Sequence, residues 1–190
     1  MDSDIIVVSG LPRSGTSLMM QMLDRGGIPA VTDEVRTADA DNPRGYYELE
    51  RVKALKRDAS WLPDVRGKAV KIISQLLYEL PSNHRYRVIF MERDLDEVIL
   101  SQEKMLERLG KTPAPRDAIE RHFTQHLERL RDWLADQRYI DVLYVRYDDV
   151  MERPEEQASR IAAFLEGRVD PARMVQAVDS SLYRNRNATT

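Results

Sequence analysis

The sequence predicts a three-layer α/β fold, in which a mainly parallel central sheet is flanked by helices. Along the 190 residues, short β-branched apolar runs alternate with segments whose apolar residues recur at helical spacing. This alternation is typical of βαβ units. The first run, IIVVS at residues 5–9, is almost continuously apolar, as expected of a central strand that helices cover on both faces. We expect a single domain over residues 1–190.

Strands and helices are predicted in alternation. The predicted strands cover residues 5–9, 69–73, 87–91 and 142–145. Apolar spacing and terminal signals predict helices from Leu18 to the Gly26-Gly27 stop, from Leu95 to Leu109, from Ile119 to Leu134 and from Pro154 to Gly167. Ligands of such sheets bind beyond the carboxyl ends of the strands. The site is therefore expected where four loops converge, those after Ser9, Ile73, Met91 and Val145.

The composition narrows the class of protein. With 42% hydrophobic and 32% charged residues, it is ordinary for a soluble globular protein. No apolar stretch approaches the roughly 18 residues of a membrane span, and the start MDSD lacks the basic residues of a signal peptide. The absence of cysteine removes disulfides and thiolate metal sites, and a net charge of -3 argues against nucleic-acid binding. A cytoplasmic protein is expected.

Residues 10–17 read GLPRSGTS and form the first candidate binding motif. Gly10, Gly15 and Ser17 match the Walker pattern G-x-x-x-x-G-K-[ST], but Thr16 stands where that pattern has lysine, and the cation is Arg13 inside the loop. Backbone N–H groups of such a turn, at the start of a helix, favour an anion. The alternative interpretation is a tight turn between strand and helix that binds nothing.

The missing lysine helps to choose the anion. Phosphoryl transfer relies on that lysine together with Mg²⁺, so its absence counts against a kinase or an NTPase. A sulfuryl group carries less charge than a terminal phosphoryl group and can be handled by one loop cation and hydroxyls without a metal. The candidate anion-binding residues are Arg13, Ser14, Gly15, Thr16 and Ser17.

A second candidate anion site is RDLDEVILS at residues 93–101. Arg93 follows a strand, and Ser101 lies eight residues later, a little over two helical turns, so both can face the same ligand. The alternative pairs Arg93 with a neighbouring acid, Glu92, Asp94 or Asp96. Beside the first loop, the pattern predicts a ligand with two separate phosphate groups.

These two motifs resemble those of the sulfotransferase family. PRSGTS at 12–17 resembles the family's 5'-phosphosulfate loop, and RDLDEVILS resembles its 3'-phosphate motif. NPRGYYELE at 42–50 and VRYDDVMERPEEQASRIAAFLEG at 145–167 are similar to segments of small bacterial sulfotransferase-like proteins. Many relatives carry lysine at the position of Arg13, and the glycine-rich C-terminal motif of the cytosolic enzymes is not evident here.

The resemblance implies a P-loop-like fold and a sulfotransferase that uses 3'-phosphoadenosine-5'-phosphosulfate (PAPS) as donor, without a metal. By position, residues 13–17 would hold the 5' phosphosulfate, and Arg93 with Ser101 the 3' phosphate. In the C-terminal segment SLYRNR, Arg184 or Arg186 either closes over the nucleotide or belongs to a solvated basic tail.

Transfer to a hydroxyl also needs a base and a cation. We favour Glu48 as base over Glu34, whose spacing from Arg13 looks like that of tyrosylprotein sulfotransferases; either acid could instead be a surface residue. Lys71, polar within an apolar strand, is proposed to stabilise the leaving oxygen, the alternative being an edge-strand lysine that reaches solvent. The three histidines, His84, His122 and His126, are predicted to be structural or surface residues.

Three function hypotheses follow. The leading one is sulfuryl transfer from PAPS to a hydroxyl or amine of a small molecule, saccharide or peptide. The others are a variant P-loop nucleotide kinase or NTPase, and a non-catalytic nucleotide-binding protein of the same fold. The acceptor, the identity of the base and the oligomeric state do not follow from the sequence.

Overall fold

The computed structural model describes residues 4–33 and 45–179. Within these ranges, a sheet of four parallel strands has the order β2-β1-β3-β4. The strands are β1 (Ile5–Gly10), β2 (Ala69–Lys71), β3 (Tyr86–Glu92) and β4 (Ile140–Arg146). The predicted parallel sheet is confirmed, with β3 and β4 slightly longer than predicted.

Helices cover both faces of this sheet. They are α1 (Thr16–Gly26), α2 (Leu95–Arg108), α3 (Arg116–Ala135), α4 (Tyr147–Glu152), α5 (Pro154–Phe164) and α6 (Pro171–Val175). The four predicted helices are α1, α2, α3 and α5, whereas α4 and α6 were not predicted. None of the helices in the described ranges combines the length and the apolarity that crossing a bilayer requires.

Strand β1 shows how the three layers form. Its residues Ile6 and Val8 pack in a cluster with α1, α5 and α6, whereas Ile5 and Val7 pack in a second cluster with α3. Because successive side chains of a strand point to opposite faces, a strand buried on both faces must be apolar throughout. All four of these side chains are 0% exposed, which confirms the three-layer α/β prediction.

The strand order determines where loops can meet. The chain passes from β1 to β2 on one side and returns to β3 on the other side of β1, so the direction of winding switches between β1 and β3. Open α/β sheets bind ligands at such a switch point, beyond the carboxyl ends of the strands. Here Gly10 of β1 lies opposite Met91 of β3, which brings the following loops together.

Two apolar positions differ from the prediction. Strand β2 ends at Lys71, because after the backbone bond from Ile72 N to Val8 O the chain turns into the 3₁₀ helix Ser74–Glu79. Ile73 is therefore 47% exposed instead of buried in a strand. Leu109 caps the end of α2 and is 60% exposed, so it lies outside the apolar face of that helix.

Because Ile72 is buried and Ile73 is exposed after the end of β2, we expect alanine substitutions at these two positions to differ in their effect on stability. Ile72→Ala should lower the free energy of unfolding by about 2–5 kcal/mol, the range for truncating a fully buried isoleucine. Ile73→Ala should lower it by less than about 1 kcal/mol, because much of the side chain is already in water. Urea denaturation of both variants measures this, and equal losses would return Ile73 to the core.

Candidate functional site

The loop after β1 is a tight turn with three residues at positive φ. The φ angles are 150° at Gly10, 70° at Arg13 and 96° at Gly15. The Ser14 backbone N–H donates to the Leu11 carbonyl at 3.2 Å, and the Ser14 hydroxyl donates to the same oxygen at 2.7 Å. The Ser14 side chain is 1% exposed, and its hydroxyl stabilises the turn.

Helix α1 begins directly after this turn. Gly15 is its N-cap residue and offers no side-chain oxygen to the first N–H groups of the helix. Uncapped N–H groups and the helix dipole together attract an anion. Thr16 and Ser17, both partly buried, are the first two residues of this helix, which begins two residues before the predicted start at Leu18.

Tyr147, the first residue of α4, packs against the loop and was missed by the sequence interpretation. A Cβ added at Gly15 would clash with its Cδ2 and lie 3.1 Å from its Cε2. Tyr147 is 8% exposed, and this burial raises the pKa of its hydroxyl. A signal existed in the sequence, because Tyr147 follows the fourth strand, where a site-forming loop was expected.

The two predicted anion motifs are in direct contact. Arg13 Nε donates to Ser101 Oγ at 3.0 Å, across 88 residues of sequence. Arg93 donates from Nη1 to the Arg13 carbonyl oxygen at 3.2 Å. The two motifs were predicted to lie at neighbouring strand ends. In the structure they are also joined by hydrogen bonds.

Arg93 is held by two further groups. Its Nε donates to Glu97 Oε2 at 2.9 Å, and the two side chains are only 8% and 5% exposed. Its guanidinium lies over the Tyr147 ring, 4.5 Å from the ring centroid, a cation–π contact. The sequence alternative had offered Glu92, Asp94 or Asp96 as partner, and Glu97 was overlooked although its i+4 spacing on a helix is a known pairing signal.

A third cation, Lys71, lies at the end of β2. Its ammonium donates to the Tyr46 carbonyl oxygen and, at 3.4 Å, to Ser17 Oγ. Glu48 Oε1 lies 3.7 Å from the Lys71 nitrogen, with side chains 9% and 34% exposed. Lys71 therefore points inward from the strand end to acceptor groups, not outward into solvent.

Lys71 and Ser17 connect Glu48, the predicted base, to the loop at residues 10–17. Ser17 also donates to the Tyr46 carbonyl, at 3.3 Å, so Ser17, Tyr46, Lys71 and Glu48 form one connected group. Tyr47, between the two segments, adopts a φ of 52°. The structure thus brings Glu48 and Lys71 next to the start of α1.

A cavity of about 260 Å³ adjoins Arg93. Half of the residues that line it are apolar (Leu11, Phe90, Met91, Val98 and Leu127), and the other half are polar or charged (Ser14, Glu92, Arg93, Asp94 and Arg146). Ligand pockets commonly combine apolar walls with a few placed polar groups. The apolar half of this cavity can therefore contact an uncharged part of a ligand.

The histidines lie in structural surroundings. His126 Nε2 and Ser74 Oγ are 2.9 Å apart, and His84 contacts Arg66. Burial and the neighbouring His122 lower the pKa of His126, and burial with Arg66 lowers that of His84. Over the ranges 4–33 and 45–179, no three histidine or acidic side chains form a group that could hold a metal ion.

Three predicted site residues lie outside the described part of the chain: Glu34, Arg184 and Arg186.

Comparison with known families agrees with this geometry. The family profile described as "Sulfotransferase domain" matches residues 2–188. The chain belongs to the sulfotransferase domain family. A curated relative, Sulfotransferase 1A1 of Rattus norvegicus, is 23% identical over 196 aligned positions, which cover 92% of this chain. The alignment spans 64% of the rat protein's length.

Solved sulfotransferase structures share the fold. The sulfotransferase domain from the curacin biosynthetic pathway has a TM-score of 0.55 at 15% identity, covering 93% of this chain and 78% of its own. Mouse sulfotransferase SULT7A1 complexed with PAP has a TM-score of 0.53 at 16% identity, covering 100% and 68%. The sulfotransferase from Alicyclobacillus acidocaldarius has a TM-score of 0.51 at 15% identity, covering 97% and 87%.

The packing of Gly15 in the loop before α1 can be tested by mutation, with Gly27 at the other end of the same helix as the control. Gly15 and Gly27 flank the same helix, α1, at φ angles of 96° and 108°, so alanine at either position costs about 1–2 kcal/mol of backbone strain. Gly15→Ala additionally drives a methyl group into Tyr147, whereas Gly27 has open space. Gly15→Ala should therefore lower the free energy of unfolding by about 1–3 kcal/mol more than Gly27→Ala.

Thermal and urea unfolding of both variants measure this difference. If the two variants were equally stable, Tyr147 would not be packed against Gly15 as described.

Proposed function

We propose that this chain is a sulfotransferase that moves a sulfuryl group from PAPS to a hydroxyl or an amine of an acceptor. The observation that carries the proposal is the junction of Arg13, Ser101 and Arg93 at the carboxyl ends of β1 and β3. It offers cations and a hydroxyl to two anionic groups of one ligand. Membership of the sulfotransferase domain family and the fold shared with a PAP-complexed neighbour support it.

The donor's 5' phosphosulfate is assigned to residues 13–17, where Arg13, Thr16 and Ser17 surround the N-terminus of α1. The 3' phosphate is assigned to Arg93 and Ser101. The two assigned subsites adjoin one another, because Arg13 Nε donates to Ser101 Oγ at 3.0 Å. Hydrogen bonds from arginine to a phosphate or sulfate oxygen are charge-assisted and therefore strong.

The junction also fits a donor that carries an uncharged portion. The cavity beside Arg93, which is lined by both apolar and polar residues, can take part of the nucleoside, since the 3' phosphate assigned to Arg93 would lie at its edge. Arg184 and Arg186 are proposed to close over the nucleotide from the C-terminal segment.

Acceptor chemistry is assigned to Glu48 and Lys71. Glu48 takes the proton of the acceptor hydroxyl as its oxygen forms a bond to sulfur. The bond between sulfur and the bridging phosphate oxygen breaks, and the electron pair stays on that oxygen. Lys71, whose nitrogen is 3.7 Å from Glu48 and 3.4 Å from Ser17 Oγ, stabilises the charge there together with Arg13. Glu34 is the competing base.

The products are the sulfated acceptor and adenosine 3',5'-bisphosphate. Oriented cations and N–H groups, which need no reorganisation during the reaction, carry the transition-state stabilisation in this assignment. A variant P-loop kinase is not favoured, because Thr16 replaces the lysine that such enzymes place on the transferred phosphate.

The donor assignment predicts stabilisation by adenosine 3',5'-bisphosphate without a metal. At a ligand concentration about 100-fold above Kd, the melting temperature should rise by about 5 °C or more in EDTA. Arg13→Ala or Arg93→Ala should reduce the rise to about half or less, because each loses a charge-assisted contact worth a factor of about ten or more in affinity. Differential scanning fluorimetry measures it.

Arg153→Ala is the matched control, since Arg153 is an exposed arginine paired with Asp149 and Glu156 at the start of α5. It should keep the full rise. A wild-type protein that responds to ATP with Mg²⁺ and not to the bisphosphate at millimolar concentration would contradict the proposal in favour of the kinase alternative.

The base assignment predicts a loss of transfer without a loss of donor binding. Glu48→Gln keeps the shape of the side chain but cannot accept the acceptor proton, so transfer should fall about 10²-fold or more. Affinity for the bisphosphate should stay within about twofold, a small effect on the free-energy scale of binding. The measurement uses ³⁵S-labelled PAPS and a panel containing a phenol, an aliphatic alcohol, a monosaccharide, an amino sugar and a tyrosine peptide.

Glu50→Gln is the control from the same segment, because Glu50 is exposed and pairs with Lys53. It should transfer at the wild-type rate. Unchanged transfer by Glu48→Gln would move the base role to Glu34, whereas donor binding with no transfer to any panel member would favour the non-catalytic alternative.

A further inference from the structure

Glu97 is buried although it is a charged residue in the first turn of a helix. Its side chain is 5% exposed, while Asp96 beside it is 59% exposed and pairs with Arg116. Burial of a carboxylate is costly unless it is paired and hydrogen-bonded. The partner of Glu97 is Arg93, the proposed 3'-phosphate ligand, which suggests that this pair serves the site.

We propose that Glu97 is a positioning residue for both ends of the donor, the 5' loop as well as the 3' phosphate. The proposal rests on the function proposed above and deepens it. Glu97 acts through Arg93, which it holds in one orientation, and Arg93 in turn supports the loop that carries Arg13.

The first step is the orientation of the Arg93 guanidinium. Glu97 fixes its Nε at 2.9 Å, and Tyr147 supports its face at 4.5 Å from the ring centroid. Asp94 accepts from the Glu97 backbone N–H at 3.2 Å, which secures the first turn of α2. A planar guanidinium that is held at one edge and one face presents its Nη1 in a defined direction.

The second step is the support of the loop. Nη1 of Arg93 donates to the carbonyl oxygen of Arg13 at 3.2 Å, and Arg13 has a φ of 70°. A non-glycine residue in this strained region persists only where its surroundings hold it. The bond from Arg93 is such a hold, placed on the residue proposed to bind the 5' phosphosulfate.

The third step joins the two subsites through side chains. Arg13 Nε donates to Ser101 Oγ at 3.0 Å, so the loop is tied to the 3'-phosphate residues by backbone and by side chain. Loss of the Glu97 carboxylate removes its ion pair with Arg93, so that Nη1 of Arg93 is no longer fixed in one direction. A ligand that carries only a 5' phosphate should then bind less well, although Glu97 belongs to the 3' side.

Adenosine 5'-monophosphate is the probe that tests this, because it lacks the 3' phosphate. Isothermal titration of the full chain in EDTA should show that Glu97→Gln weakens binding of both the monophosphate and adenosine 3',5'-bisphosphate by about tenfold. Asp96→Asn is the matched control, since it also removes one acid from the first turn of α2 and has the same effect on the helix dipole. It should change neither affinity by more than about twofold.

Glu97→Asp is the second variant, to be used if Glu97→Gln does not fold. It keeps the charge but is one methylene shorter, so monophosphate affinity should fall by about threefold or more. Unliganded melting curves establish which variants are folded before titration.

Two results would overturn this inference and leave the proposed function standing. One is weaker bisphosphate binding with unchanged monophosphate binding, which would limit Glu97 to the 3' subsite. The other is equal behaviour of the Glu97 variants and Asp96→Asn. If the wild-type chain binds neither nucleotide, the proposed function fails and the inference fails with it.

Discussion

The close parallel pairing of β1 and β3 is the constraint on which the site depends. Gly10 at the end of β1 lies opposite Met91 of β3, and a Cβ on Gly10 would be 2.6 Å from the Met91 carbonyl oxygen. Only a residue without a side chain lets the two strands end side by side in this way. The loop that carries Arg13 and the segment that begins at Arg93 leave the sheet from this point, so the contact between Arg93 and the Arg13 carbonyl follows from the register.

The cations of the site are paired with acceptors before any anion arrives. Arg93 is bonded to Glu97, Arg13 to Ser101, and Lys71 to the Tyr46 carbonyl. Partly buried cations need such partners, because an isolated charge is poorly tolerated away from water. The same contacts hold the side chains in place, which is the condition for electrostatic catalysis without reorganisation.

The hydroxyl groups of the loop at residues 10–17 have two different environments. Ser14 donates inward to Leu11, whereas Thr16 and Ser17 open α1, and Ser17 joins the group around Lys71 and Glu48. The turn proposed to hold the donor and the segment that contains the proposed base are therefore connected through a single helix start. Under the proposed assignments, donor binding and acceptor activation would both depend on the start of α1, and sites built on helices are more precise than sites built on loops.

The sequence by itself determined the local elements and the two anion motifs. The alternation of apolar runs with helical spacing predicted the sheet and its main helices, and the glycine spacing with Arg13 predicted the loop, because these signals depend on residues close in the chain. The same signals placed Ile73 in a strand, since an apolar residue after an apolar run carries no mark of where pairing stops.

Only the tertiary structure decided which distant residues meet. It set Tyr147 against Gly15, brought Ser101 to Arg13 across 88 positions and gave Lys71 its acceptors. Strand order and register make these contacts, and neither is written in the spacing of neighbouring residues. The burial of Glu97 beside an exposed Asp96 shows the same limit at short range: helix spacing makes both acids possible partners of Arg93, and only packing buries Glu97 and leaves Asp96 exposed.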